Sequence, residues 1–238
     1  MILQLQDLSK AFGSVVVADA VDLDVEEGAA LGIIGPNGAG KTSLFNLVTG
    51  TLKPDAGVVR LAGRDITALP PQVRARAGIA RSFQIPQPFA HLTVFENLLV
   101  GATAARNRSE SEVVERCGAV LESTGLIGHA NRPAGTLTLL ERKRLELAKA
   151  LATEPRLLLL DEIAGGLTEH ECNELLATIR DIRAAGVTIV WIEHVVHALL
   201  AVVDRLVVLN FGRKISEGDP RAVMASQEVR EIYLGIEA

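Results

Sequence analysis

The octapeptide Gly35-Pro36-Asn37-Gly38-Ala39-Gly40-Lys41-Thr42 constrains this chain more than any other stretch. It satisfies the pattern G-x-x-x-x-G-K-[ST] in full. Its context agrees. Residues 29–34 (AALGII) are apolar without alternation, as in a central strand covered on both faces, and a helix is predicted from Lys41. Glycines let the backbone wrap an anion with successive N–H groups pointing inward. The helix that follows adds the positive end of its dipole. The pattern therefore predicts a cradle for a nucleotide's phosphates. Lys41 is expected at the β- and γ-phosphates, the Thr42 hydroxyl on Mg²⁺, and Ser43 as a further phosphate donor.

The rest of the chain fits an ordinary globular protein around that cradle. Its 238 residues suffice for one large domain with a full core. A hydrophobic share of 48% and a charged share of 22% exclude a disordered chain. A net charge of −5 and an aromatic content of 3% argue against nucleic acid as a partner, by bulk charge or by base stacking. The longest apolar stretch, residues 187–209, is broken by Glu193, His194, His197 and Asp204 and is not expected to span a bilayer. The opening MILQLQDLSK has neither a charged leader nor an apolar segment, so no signal peptide is expected. Cys117 and Cys172 form no disulfide framework, which suits a reducing cytoplasm.

Periodicity divides the chain. Ile2, Leu3 and Leu5, then Val21, Leu23 and Val25 set two apart, predict half-buried strands, and residues 57–63 (GVVRLAG) predict another. Residues 86–151 read mostly as helix, with apolar positions at helical spacing over 111–124 and 141–153. Beyond Pro155 strands and helices alternate: strands at 156–160, 187–192 and 206–209, helices at 169–185 and 194–201, which implies parallel βαβ units. The expected class is α/β, one unit over 1–238 with a helical insertion at 86–151.

A phosphate cradle does not name a reaction; the carboxylates narrow it. Residues 157–160 form a four-leucine strand that ends in Asp161 and Glu162. Asp161 can hold the hydration shell of Mg²⁺. Glu162 can accept a proton from an attacking water. A guanine-reading GTPase is disfavoured, because no Asn-Lys pair occurs.

Three further motifs in fixed order are similar to those of the ATPase subunit of ABC transporters. Phe12 lies in Ser9-Lys10-Ala11-Phe12-Gly13, Gln84 in Arg81-Ser82-Phe83-Gln84, and His194 in Trp191-Ile192-Glu193-His194. The resemblance spans essentially the whole chain. It implies a P-loop fold with a mainly parallel central sheet, an N-terminal antiparallel β subdomain and a helical subdomain. It implies ATP and Mg²⁺ as ligands. Phe12 would stack on adenine, and residues 35–43 would cradle the phosphates. Gln84 would touch Mg²⁺ or the attacking water, with Thr42 and Asp161 as the other metal residues. His194 would orient Glu162, and the segment after Gln84, down to residues 91–98, would face a membrane partner. The stretches at 78–84, 92–98, 142–148 and the tail Ile232-Tyr233-Leu234-Gly235 are similar to bacterial branched-chain amino-acid importer ATPases. That implies permease subunits, a second ATPase subunit, indirectly a periplasmic solute-binding protein, and a place on the inner face of the cell membrane. Long coiled-coil insertions or a fused second cassette, expected of members acting on DNA or ribosomes, are missing from the pattern.

Two departures stand out. The family's L-S-G-G-Q signature aligns with Leu137-Thr138-Leu139-Leu140-Glu141, without either glycine. Thr138 and Glu141 still make an S/T-x-x-E capping box, whose helix N-terminus can meet the phosphate of an ATP on the opposite subunit. Leu139 and Leu140 add bulk there, and Glu141 adds negative charge that Arg142 and Lys143 are expected to offset. Two readings stay open: a working but weaker signature, or a nucleotide-binding regulator or soluble member impaired in hydrolysis. The second departure follows Glu162, where Ile163 replaces the family's proline and Thr168 stands where many members have Asp. Communication between the two ATP sites is expected to differ accordingly.

Overall fold

The computed structural model describes residues 1–105 and 109–234. Gly235, the last residue of the tail motif, lies outside them. The elements in chain order are strands β1 (Leu3–Phe12), β2 (Val15–Val25) and β3 (Ala30–Ile34), helix α1 (Lys41–Thr49), strands β4 (Ala56–Leu61) and β5 (Arg64–Asp65), helix α2 (Pro71–Arg76) and strand β6 (Ile79–Arg81). Helices α3 (Val94–Ala105), α4 (Glu110–Ser123) and α5 (Leu139–Ala152) follow. The chain then runs through β7 (Leu157–Asp161), α6 (Glu169–Ala184), β8 (Thr188–Ile192), α7 (Val196–Leu200), β9 (Arg205–Asn210), β10 (Arg213–Gly218), α8 (Pro220–Ala225) and α9 (Gln227–Leu234).

Two sheets organise these elements. A six-stranded sheet has the order β10-β9-β3-β8-β7-β6, parallel throughout except at β10. A four-stranded antiparallel sheet has the order β2-β1-β4-β5. Every residue of β3, β7 and β8 is buried. Successive strand residues point to opposite faces, so each of these strands feeds two cores. Leu31, Ile33, Leu157, Leu159, Val190 and Ile192 face α1 and the antiparallel sheet. Ala30, Ile34, Leu158, Leu160, Ile189 and Trp191 face the core that contains residues of α3 to α6. The α/β class and the mainly parallel sheet agree with the sequence reading.

Local chemistry explains several boundaries. Helices α4, α5 and α6 each start on a capping box: Ser109 with Glu112, Thr138 with Glu141, Thr168 with Glu171. The helix expected over 194–201 is shorter, at Val196–Leu200. Val195, the residue before it, has ψ +83°, outside the helical range, and the Glu193 carboxylate accepts from the N–H groups of His194 (2.9 Å) and Val195 (3.2 Å) in that turn. Sequence periodicity did not foresee α2, β6, β10, α8 or α9.

Candidate nucleotide site

The glycine-rich turn leaves the C-terminal end of β3 and enters α1. Two of its glycines are required by close approach. A Cβ on Gly40 (φ +99°) would lie 2.2 Å from the Val17 carbonyl oxygen, and one on Gly35 would lie 2.2 Å from that of Leu209. The turn is thus wedged between the start of β2 and the end of β9. A recess of about 400 Å³ opens at its mouth, lined by residues 37–43, Val15, Val17, Gln84 and Glu162. The buried Lys41 ammonium donates to the carbonyls of Gly35 (2.7 Å) and Pro36 (3.0 Å). Burial lowers its pKa from the usual lysine range, while the Glu162 and Asp161 carboxylates pull it back up.

Glu162 follows the last residue of β7. Its N–H donates to the Ile192 carbonyl (2.8 Å) and its φ is +47°, a left-handed conformation rare for a side chain of this size. Such backbone costs of order 1–3 kcal/mol and persists where the surroundings over-determine it. The Gln84 amide donates to Glu162 Oε2 (2.5 Å), and His194 Nδ1 lies 3.6 Å from the same oxygen. His194 Nδ1 is also 3.3 Å from Glu193 Oε1. Glu193 is fully buried. Besides His194 and Val195, its carboxylate accepts from the Ala164 N–H (2.9 Å).

The remaining expected site residues lie outside the recess. Asp161 is buried and paired with Arg81 (Nη2 to Oδ2, 2.6 Å). Phe12 is half exposed and lines a larger neighbouring groove of about 650 Å³, which shares Ser43 with the recess. That groove runs between α1, α2 and β6 on one side and α5 on the other. Thr42, exposed at the first turn of α1, and Gln84 bring a hydroxyl and an amide oxygen to one recess, and Asp161 Oδ1 accepts no hydrogen bond from the described residues. Hard oxygen donors in small number suit Mg²⁺, which keeps several of its waters.

The signature turn corrects two expectations. Leu140 is 8% exposed and belongs to the core, so only Leu139, 45% exposed, presents bulk at the surface. The Glu141 charge is offset by neither Arg142 nor Lys143. Glu141 Oε2 accepts from the Thr138 N–H (2.7 Å), and Oε1 faces His129 Nε2 (3.0 Å) and Arg132 (3.9 Å). Arg142 instead donates to the carbonyls of Leu137 and Gly135, and Lys143 is buried. The Thr138 N–H bond, ahead of the other partners, holds the Glu141 carboxyl below its usual pKa. Thr138 Oγ1 accepts from the Glu141 N–H (3.3 Å).

Sequence reasoning missed Val15, Val17, Arg81 and Glu193. Signals existed for two of them: Arg81 is a lone cation ending an apolar tripeptide, and Glu193 a lone anion ending the apolar run 187–192.

Comparison with known proteins agrees with this geometry. A family model described as "ABC transporter" matches residues 18–165. The high-affinity branched-chain amino acid transport ATP-binding protein BraF of Pseudomonas aeruginosa is 39% identical, over 98% of each chain. The corresponding LivG of Escherichia coli is 36% identical, over 98% of each. Among solved structures, an ABC transporter cassette in its ADP conformation superimposes with a TM-score of 0.91 at 34% identity, over 99% of each chain. A nucleotide-free cassette gives 0.90 at 33% identity, over 100% of this chain and 99% of that one.

Proposed function

The chain belongs to the ABC transporter ATP-binding family, and from that premise we propose that it is the Mg²⁺-dependent ATPase subunit of an importer for branched-chain or other hydrophobic amino acids. The observation that carries the chemistry is the meeting of Gln84 and Glu162 at the mouth of the phosphate cradle, 2.5 Å apart. The solute class rests on the names of relatives aligned along nearly the whole chain. Those names support a transporter subunit and lend nothing to a regulator.

Phosphoryl transfer needs positioning and charge neutralisation more than covalent chemistry. The N–H groups of residues 37–42 and the Lys41 ammonium bind the phosphates, with Lys41 exchanging its contacts with Gly35 and Pro36 for phosphate oxygens. Thr42, Gln84 and Asp161 would hold Mg²⁺, which would supply charge neutralisation at the phosphates. Glu162 accepts the proton of the attacking water, and Gln84 fixes that carboxylate. His194 Nδ1 stands 3.6 Å from Glu162, longer than a hydrogen bond, and would close on that carboxylate or on a γ-phosphate oxygen when nucleotide is bound. Thr138 and the first turn of α5 face the nucleotide of a second ATPase subunit, with the Glu141 charge turned back on its own cap.

We read 1–238 as one cassette in which 86–151 forms an inserted helical subdomain. The groove beside it, floored by Leu52, Ile79 and Ala150, takes a segment of a permease subunit. Phe83 lines the groove, and Ile85 and Phe89 follow in the segment after Gln84, all three more than half exposed. No described helix is long and apolar enough to cross a membrane, so the permease holds the chain at the inner face of the cell membrane. A periplasmic solute-binding protein completes the importer.

Reconstitution with the permease subunits and the solute-binding protein tests this. ATP-dependent uptake of leucine, isoleucine or valine is expected, lost with Lys41→Ala. Uptake of a different solute class, or uptake indifferent to Lys41→Ala, would refute it.

A further inference from the structure

The Arg81 side chain is almost fully buried, and no role has been given to it in the motif that ends in Gln84. Its guanidinium sits between Asp161 and α1. Nη2 donates to Asp161 Oδ2 and Nη1 to Asn46 Oδ1, both at 2.6 Å. Its carbon lies over two rings, at 5.6 Å from the Phe45 centroid and 5.1 Å from that of Phe83. The side chains of the pair are 8% and 4% exposed. Asp161 is held from a second side, since its N–H lies 3.4 Å from Ser82 Oγ, and the Ser82 N–H donates to the Leu159 carbonyl (2.9 Å).

We propose that Arg81 is a positioning residue for Asp161: it fixes the carboxylate's rotamer, occupies Oδ2, and leaves Oδ1 as the one oxygen for the Mg²⁺ shell. This rests on the reading of Asp161 as a metal-shell carboxylate. Three anchors other than Asp161 (Asn46, Phe45 and Phe83) keep the guanidinium in place, so the pair is a fixed mount rather than two mobile chains that happen to meet. Partners that orient ligating carboxylates typically carry about 10–100-fold of metal affinity. A bidentate fork is needed here, because the two acceptors lie on different elements. A lysine ammonium is a point donor and does not reproduce the fork.

The test measures Mg²⁺ rather than turnover. A fluorescent ADP analogue is bound to the full chain, Mg²⁺ is titrated, and Mn²⁺ binding is followed by electron paramagnetic resonance. With Arg81→Gln the half-saturating Mg²⁺ is expected to rise about 10–100-fold, while analogue affinity in EDTA stays unchanged. Arg81→Lys is expected to fall between wild type and Arg81→Gln. Asn46→Ala keeps the pair but removes one anchor, and serves if Arg81→Gln does not fold; a severalfold rise is expected. Asp161→Asn is the control. If it leaves the Mg²⁺ requirement untouched, the reading of Asp161 fails. If it raises the requirement while the Arg81 and Asn46 variants match wild type or bind Mg²⁺ more tightly, the positioning role alone is overturned. Equal loss of analogue affinity with and without Mg²⁺ would also overturn it, because that is the mark of a merely structural residue.

Discussion

Glycine placed singly at positions 139 and 140 separates two leucines that look equivalent in the signature turn. Leu140 is 8% exposed and packed in the core. Truncating a buried leucine to alanine costs about 2–5 kcal/mol. Glycine in a helix adds about 1 kcal/mol over alanine, so Leu140→Gly is expected to cost about 3–6 kcal/mol. That is a large part of the 5–15 kcal/mol typical of a whole domain. Leu139 is 45% exposed at the first position of α5. About half of a leucine's burial, near 1 kcal/mol, is at stake there. With the glycine cost, Leu139→Gly should lose about 1–2 kcal/mol and stay folded. It also clears the approach to the helix N-terminus, so turnover of the assembled ATPase should rise. Urea unfolding followed by circular dichroism measures the first effect, and steady-state phosphate release measures the second. Equal destabilisation by the two variants would refute the inward placement of Leu140. Unchanged turnover in Leu139→Gly would refute the idea that its bulk limits the site.

Other perturbations probe the cradle and its surroundings. Lys41→Ala should remove most nucleotide binding, read by titration with a fluorescent ATP analogue; tight binding would contradict the cradle. Glu162→Gln keeps the amide oxygen available to Gln84 and leaves the backbone bond to Ile192, so binding and folding should persist while hydrolysis slows by about 10²–10⁴-fold. Single-turnover hydrolysis checks this, and an unchanged rate would assign the base elsewhere. The carboxyls of Glu96, Glu141 and Glu171 are held below their usual pKa of 4.5, in each case chiefly by a backbone N–H at a helix start. Their folded values lie below their unfolded ones, so the stability they contribute is present above pH 4.5 and is lost as pH falls through the lowered values. Glu141→Gln should flatten that acid dependence in thermal unfolding measured from pH 6 downward; an unaltered slope would remove Glu141 from the account.

What could be read from sequence was what consecutive residues carry. The glycine turn, the all-leucine strand and the capping box at Thr138 each sit within eight residues or fewer, and each appears where local chemistry puts it. What could not be read depends on the sheet. Arg81 meets Asp161 across 80 positions because β6 pairs with β7, and no local pattern encodes that register. The helix expected over 194–201 starts two residues late because Val195 takes ψ +83°, outside the helical range, which the apolar spacing does not report. Leu139 and Leu140 differ only in which way α5 turns them. Strand β6 has three residues and α2 six, too few for periodicity to show.

Glu193 has a consequence for motion. One desolvated anion is the common anchor of the loop that leaves Glu162, through Ala164, and of the turn that carries His194. The Ala164 N–H holds one carboxylate oxygen and the His194 and Val195 N–H groups hold the other, so a retreat of the first loop from the second breaks the Ala164 bond. Glu162 and His194 are therefore tied through their loops to one carboxylate, and a displacement of either loop is expected to be felt at the other.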